Sequence, residues 1–190
     1  MAANKNKIFS EQVSSKTNFN LFSDILPNPD PVLKKLGKDI QVYEQISSDP
    51  KIISEKRKVE AAVRNLSIQI DQEREDGQKK KWYQDIVKNL DMHKIVKDML
   101  NGKWLGRQPM EIYYKLRDGE IIPEDIIEKP AEWFKISSTN NLILCKAGKK
   151  IAMPPEKFLL PRQDASWENP YGRGDYSYCF WPATFKKNGW

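Results

Sequence analysis

Two short stretches carry residues whose types and spacing could do chemistry. Lys79, Lys80 and Lys81 directly precede Trp82 and Tyr83. Ammonium groups beside two aromatic rings are the ingredients of a single-stranded nucleic-acid contact, with the lysines meeting phosphates and the rings meeting bases. The same run reads more simply as the charged start of a helix whose apolar stripe begins at Trp82, because no sustained basic face accompanies it. Lysines at a helix N-terminus oppose the helix dipole, so this charge still calls for a use. The second stretch, Arg173-Gly174-Asp175, spells an adhesion tripeptide. No secretion-type leader is evident in MAANKNKIFSEQVSS, so the tripeptide reads as a turn, with Asp175 capping the helix that follows.

An enzyme needs reactive groups that can be brought together. The sole histidine, His93, falls in the middle of a helical pattern, where it reads as an ordinary helix residue. Glu124-Asp125 and the group Glu73, Glu75 and Asp76 fall in charged turns, where nothing nearby would raise a carboxyl pKa. The two cysteines, Cys145 and Cys179, show neither metal-ligand spacing nor a nearby histidine cluster, which points to a reducing compartment. Phosphate-binding, dinucleotide, zinc-protease and nucleophile-elbow motifs are all missing. The expectation is a protein that is not an enzyme, with no catalytic, cofactor-binding or metal-ligating residue.

The elements that would position these groups follow from the pattern. Across 190 residues, 39% are hydrophobic and 31% charged, and 20 aromatic side chains are enough to build a core. The net charge of +6 comes from 32 basic and 26 acidic residues spread along the chain, which permits an acidic partner without requiring one. No apolar run approaches the roughly 18 residues of a membrane span.

Residues 1–29 read as a flexible arm with a few docking apolar side chains. Asp30-Pro31 opens a helix to about residue 47. Asp49-Pro50 opens a second to about Arg64, with Ile52, Ile53, Val59, Ala62 and Val63 inward. Residues 66–72 alternate like a strand. A third helix runs from Lys81 to about Asn101 on a stripe of Trp82, Ile86, Leu90, Ile95 and Met99, ended by Asn101-Gly102. An antiparallel β-meander follows from 109 to 162, with turns at Asp118-Gly119, Asn140-Asn141 and Ala147-Gly148. The chain closes on an aromatic segment, Tyr178, Phe180, Trp181, Phe185 and Trp190. Pro182 should interrupt any helix there, and the small sheet is its nearest partner. The class is α+β.

In this order the pieces resemble the N-terminal part of the portal proteins of Mu-like phages and prophages. The resemblance begins at DPVLKKLGKDIQVYEQISSDPKIISEKRKVEAAVRNLSIQI and continues through GKWLGRQPMEIYY, PAEWFKISSTNNLIL and AMPPEKFLL. It ends at NPYGRGDYSYCFWPATFKKNGW. It covers about residues 30–190 and leaves 1–29 outside. Family members are longer, so the resemblance implies a wing-like region that is incomplete at its C-terminus.

It also implies a structural role, in which a ring at one capsid vertex carries double-stranded DNA in and out. The partners implied are further copies of the same protein, the terminase and the head–tail connector proteins. The implied places are the host cytoplasm during assembly and then the virion vertex. The alternative function is a small basic nucleic-acid-binding module using Lys79, Lys80, Lys81, Trp82 and Tyr83 together with the region of Arg173, Lys186 and Lys187.

Overall fold

Two aspartate-proline pairs set the first helices. A computed structural model of the chain describes residues 25–66 and 77–189. In helix α1 (Pro31–Leu36), the Asp30 carboxylate accepts the Val32 and Leu33 amides, satisfying donors that a helix start leaves free. Asp49 does the same for Lys51 and Ile52 at the head of α3 (Pro50–Arg64). The single helix expected to residue 47 is broken. Gly37 takes a left-handed φ of 61°, a conformation that costs glycine little, and the chain restarts as a 3-10 turn (Ile40–Tyr43) and a short α2 (Glu44–Ser47). The break lets Val32 and Leu33 face the same interior as Ile40, Val42, Tyr43 and Ile46.

Helix α3 has its expected bounds but no fully buried residue, and Ala62 is exposed rather than inward. Of the strand expected at 66–72, Leu66 is exposed in a bend and the remainder lies outside the described residues. The third helix is three pieces: α4 (Gly77–Asn89), α5 (Met92–Met99) and α6 (Asn101–Leu105). Asp91 caps α5 by accepting the Lys94 amide, so the chain restarts there instead of running through. Asn101 and Gly102 begin α6 rather than ending a helix; Gly106, at φ 92°, ends it. Of the expected stripe, Ile95 is buried, whereas Trp82 and Met99 are exposed.

The β region forms two three-stranded antiparallel sheets in place of one meander. In the first, β1 (Met110–Arg117) pairs with β2 (Glu120–Glu128), and its other edge takes the short β6 (Phe158–Leu159). Asp118 and Gly119 both have positive φ, as a two-residue hairpin turn requires. A bulge between Tyr113 and Tyr114 shifts the register. In the second sheet, β4 (Leu142–Lys146) lies between β3 (Phe134–Ile136) and β5 (Lys149–Ala152). The end of the N-terminal arm joins it, with Ile25 bridging Ser137 and the Leu26 amide donating to the Ile136 carbonyl at 2.9 Å.

The aromatic segment is a helix, α7 (Asp175–Asn188), that runs straight through Pro182. It packs on the N-terminal helices and α6, not on a sheet. Tyr176 and Phe180 close the larger core against Tyr43 and Trp104, with Tyr43 and Phe180 edge-to-face at 6.0 Å and 69°. Sequence spacing favoured the sheet because the sheet lies next to it in the chain; the helical face with matching aromatic pockets lies some 130 residues earlier. A smaller core of Ile95, Met110 and Ile126 joins α5 to the first sheet.

Pro182 is exposed and removes one backbone donor from the α7 ladder. Pro182→Ala should therefore raise stability by about 1–3 kcal/mol. Thermal unfolding of the variant checks this; an unchanged or lowered midpoint would mean that the helix is shaped around the proline.

Candidate functional site: the Arg107 and Tyr171 junction

A junction between α6, β3, Leu26 and the start of α7 is built from residues 104–108 and 170–177. Leaving α6, the chain turns at Gly106 and delivers Arg107, which is 1% exposed, into the interior. Its Nη2 donates to the carbonyls of Ala131 and Phe134 at 3.4 and 3.3 Å, at the entry to β3. Its guanidinium plane lies 4.6 Å from the centroid of the Tyr171 ring. Burial lowers the Arg107 pKa from its ordinary value, and the nearby charges of Asp39, Asp30 and Glu132 act against that fall.

Tyr171 is fully buried and its hydroxyl works in both directions. It accepts the Ile136 amide at 3.0 Å and donates to the Leu26 carbonyl at 2.7 Å. One side chain thereby joins β3 to residue 26 of the arm. Burial raises its pKa. Beside it, Lys135 reaches Asp39 across the helix–sheet boundary. Burial alone would raise the Asp39 carboxyl, but hydrogen bonds from Lys135 and the Ile40 amide, with the charges of Lys135 and Arg107, hold it below its ordinary value.

The glycines allow this backbone to close. A Cβ on Gly174 would lie 2.3 Å from both Gly106 N and Trp104 O, and one on Gly172 would lie 2.4 Å from Gln163 O. Gln163 N donates to Gly106 O at 2.9 Å, and Arg173 N donates to Gln163 O at 2.8 Å. Three separate chain segments thus run against one another with no room for side chains.

The residues singled out from sequence are placed as follows. The adhesion-like tripeptide is engaged internally. Arg173 lies 4.0 Å over the Tyr178 ring and donates from Nε to Ser177, while Asp175 pairs with Lys103 at 2.9 Å. Gly174, not Asp175, is the N-cap of α7. His93 is exposed on α5, and both cysteines are free, Cys145 half-buried and Cys179 exposed. Among the described residues no group of three or more His, Cys, Asp or Glu could hold a metal ion.

Lys79 and Lys80 fall in α4, with side chains outside the description; Lys81, Trp82 and Tyr83 are exposed. Trp82 and Tyr83 stand edge-to-face at 5.0 Å, and the Trp82 indole donates to Glu120 on β2. Arg107 was missed by sequence reading. Its only signal was an arginine placed between a helix-ending glycine and a strand.

The sequence family described as the portal protein of Mu bacteriophage matches residues 40–190, which include every residue of the junction from Tyr43 onward. This chain belongs to that family. A comparison with curated proteins gives no match. Portal proteins of this kind are structural components of the phage particle, and the junction suits that role: it fixes helices, two sheets and α7 into one frame.

Two measurements test the junction. Gly119→Ala, at φ 83° in open space, should cost about 1 kcal/mol from backbone strain alone. Gly174→Ala, at an ordinary φ, should cost about 3 kcal/mol or more because backbone must move. Urea midpoints compare the two; equal costs would mean that the close approach is not a constraint.

The second concerns acid. A carboxyl with a depressed folded pKa adds stability above its unfolded pKa and loses it as pH falls through the folded value. Asp39 should therefore contribute to an acid limb below about pH 4. Asp39→Asn should reduce the loss of stability between pH 7 and pH 3. An unchanged limb would remove the ion pair with Lys135 from the account.

Proposed function

We propose that the chain supplies the wing-like N-terminal region, about residues 30–190, of a portal that assembles as a ring at one capsid vertex. Double-stranded DNA is packaged and ejected through that ring, the terminase docks on it, and head–tail connector proteins bind below. The work is done in the host cytoplasm during assembly and at the virion vertex afterwards. The observation that carries this reading is the family match across residues 40–190. Further support comes from the character of the surface: large apolar side chains such as Leu116, Ile121, Trp167 and Phe185 stand well exposed, as in a component built for assembly.

A second reading, a nucleic-acid contact at Lys79 to Tyr83, has the exposure of Trp82 and Tyr83 in its favour. Glu120 at the Trp82 indole counts against it, since a carboxylate there would repel a phosphate.

The test is negative-stain electron microscopy of the product of the complete reading frame. Rings are expected, and a strictly monomeric product would contradict the proposal. Anisotropy of a labelled single strand at two salt concentrations tests the second reading. Affinity that falls with salt and is lost in Trp82→Ala/Tyr83→Ala would favour it over the first.

A further inference from the structure

The two sheets of this chain carry opposite charge. From Met110 to Glu128, across β1 and β2, there are six carboxylates and two cations. From Phe134 to Pro155, across β3, β4 and β5, there are four lysines and no carboxylate. Some of this charge is met at home. Lys129 and Lys157 pair with Glu111, Lys94 lies 3.9 Å from Asp125, and Lys135 is held by Asp39.

The rest sits at the free ends of the two hairpins. On the first, Glu124 pairs with Lys115 at 3.4 Å, Asp118 lies 3.6 Å from Arg117, and Glu120 accepts the Trp82 indole, so three carboxylates against two cations leave one negative charge in excess. On the second are Lys146, Lys149 and Lys150, for which no carboxylate partner is found among the described residues. Lys146 and Lys149 stand directly opposite each other in the β4–β5 register, a like-charge pairing that weakens a hairpin; Lys146 is met by the Trp133 ring 3.5 Å away, which leaves Lys149 and Lys150 to face outward.

Each hairpin also carries exposed apolar side chains. Leu116 pairs with Ile121 and Tyr114 with Pro123, so these four share one face. Leu116 and Ile121 are 73% and 72% exposed. The opposite face holds buried Ile122, and Glu120 there meets Trp82 of α4, so the body covers that side and leaves the apolar side bare. On the second sheet, Ile151 is 48% exposed and belongs to β5, which among the described residues is an edge strand with all four residues exposed.

An apolar centre with a charged rim is the usual anatomy of a specific protein contact. Here the two halves, of opposite sign, lie on different parts of one chain. A patch and its complement at separate places on the same molecule produce head-to-tail association, which closes into a ring when the rotation permits.

We propose that the acidic β1–β2 hairpin of one copy docks on the basic β4–β5 hairpin of the next. Tyr114, Leu116 and Ile121 cover Ile151 and the β5 edge, and Lys149 and Lys150 meet the carboxylates of the neighbour's hairpin. The proposal rests on the portal reading and gives its ring one specific contact.

The experiment uses two single-cysteine chains, Ile121→Cys and Ile151→Cys, each carrying Cys145→Ser and Cys179→Ser, with folding verified by circular dichroism. Under mild oxidation the mixture should yield a disulfide-linked dimer, and either chain alone should yield much less. Lys149→Glu/Lys150→Glu in the Ile151→Cys chain should cut that yield about tenfold, as should strong salt.

Equal self-linking of Ile121→Cys would overturn the proposal in favour of a back-to-back contact. Lysine-dependent binding of duplex DNA with no cross-link would overturn it in favour of a nucleic-acid partner. Rings from the complete reading frame that show no link between positions 121 and 151 would refute this contact and leave the portal reading standing. Absence of both rings and link would refute both.

Discussion

A buried arginine sets the terms for this fold. Among the described residues no carboxylate pairs directly with Arg107. Its charge is accommodated by two carbonyls, the face of Tyr171, and Asp39 and Asp30 nearby. Leaving a hydrogen bond of such a buried charge unmade costs about 1–3 kcal/mol or more. Each partner must therefore stay in place, and together they come from three separate parts of the chain. The Ala131 and Phe134 carbonyls fix the entry to β3, and the Tyr171 hydroxyl ties Ile136 to Leu26. Gly172 and Gly174 allow the segment that carries Tyr171 to reach the end of α6.

From that point outward the chain divides into a rigid base and projecting parts. The base is the aromatic core of Tyr43, Trp104, Tyr176 and Phe180, continuous with the junction through Trp104 and the start of α7. The β1–β2 hairpin is anchored at its root by Met110 and Ile126 and exposed from Lys115 to Ile121. The β4–β5 hairpin is likewise exposed beyond Cys145.

Local chemistry was the most legible part of the sequence. The aspartate caps at 30 and 49, the hairpin turns at 118–119 and 147–148, and the α+β order are set by residues close together in the chain, and they stand as expected. Three features were not legible. The break at Gly37 occurs because it brings Val32 and Leu33 into the same core as Tyr43, a tertiary gain that helical spacing does not reveal. The division of one meander into two sheets follows from β6 returning to β1 across the 40 residues between Arg117 and Phe158. The role of Arg107 depends on Tyr171, 64 positions away, and no local pattern links them. Gly174 read only as part of a turn, and the close backbone approach that Gly172 and Gly174 permit was not legible.

The account stands or falls on whether Arg107 and Tyr171 act as a unit. The direct test is a double-mutant cycle of Arg107→Met and Tyr171→Leu, read from urea unfolding of the two single variants and the double. The clasp predicts coupling of about 1–3 kcal/mol, with the double variant less destabilised than the sum of the singles. Costs that add to within about 0.5 kcal/mol would contradict it and reduce the junction to independent packing.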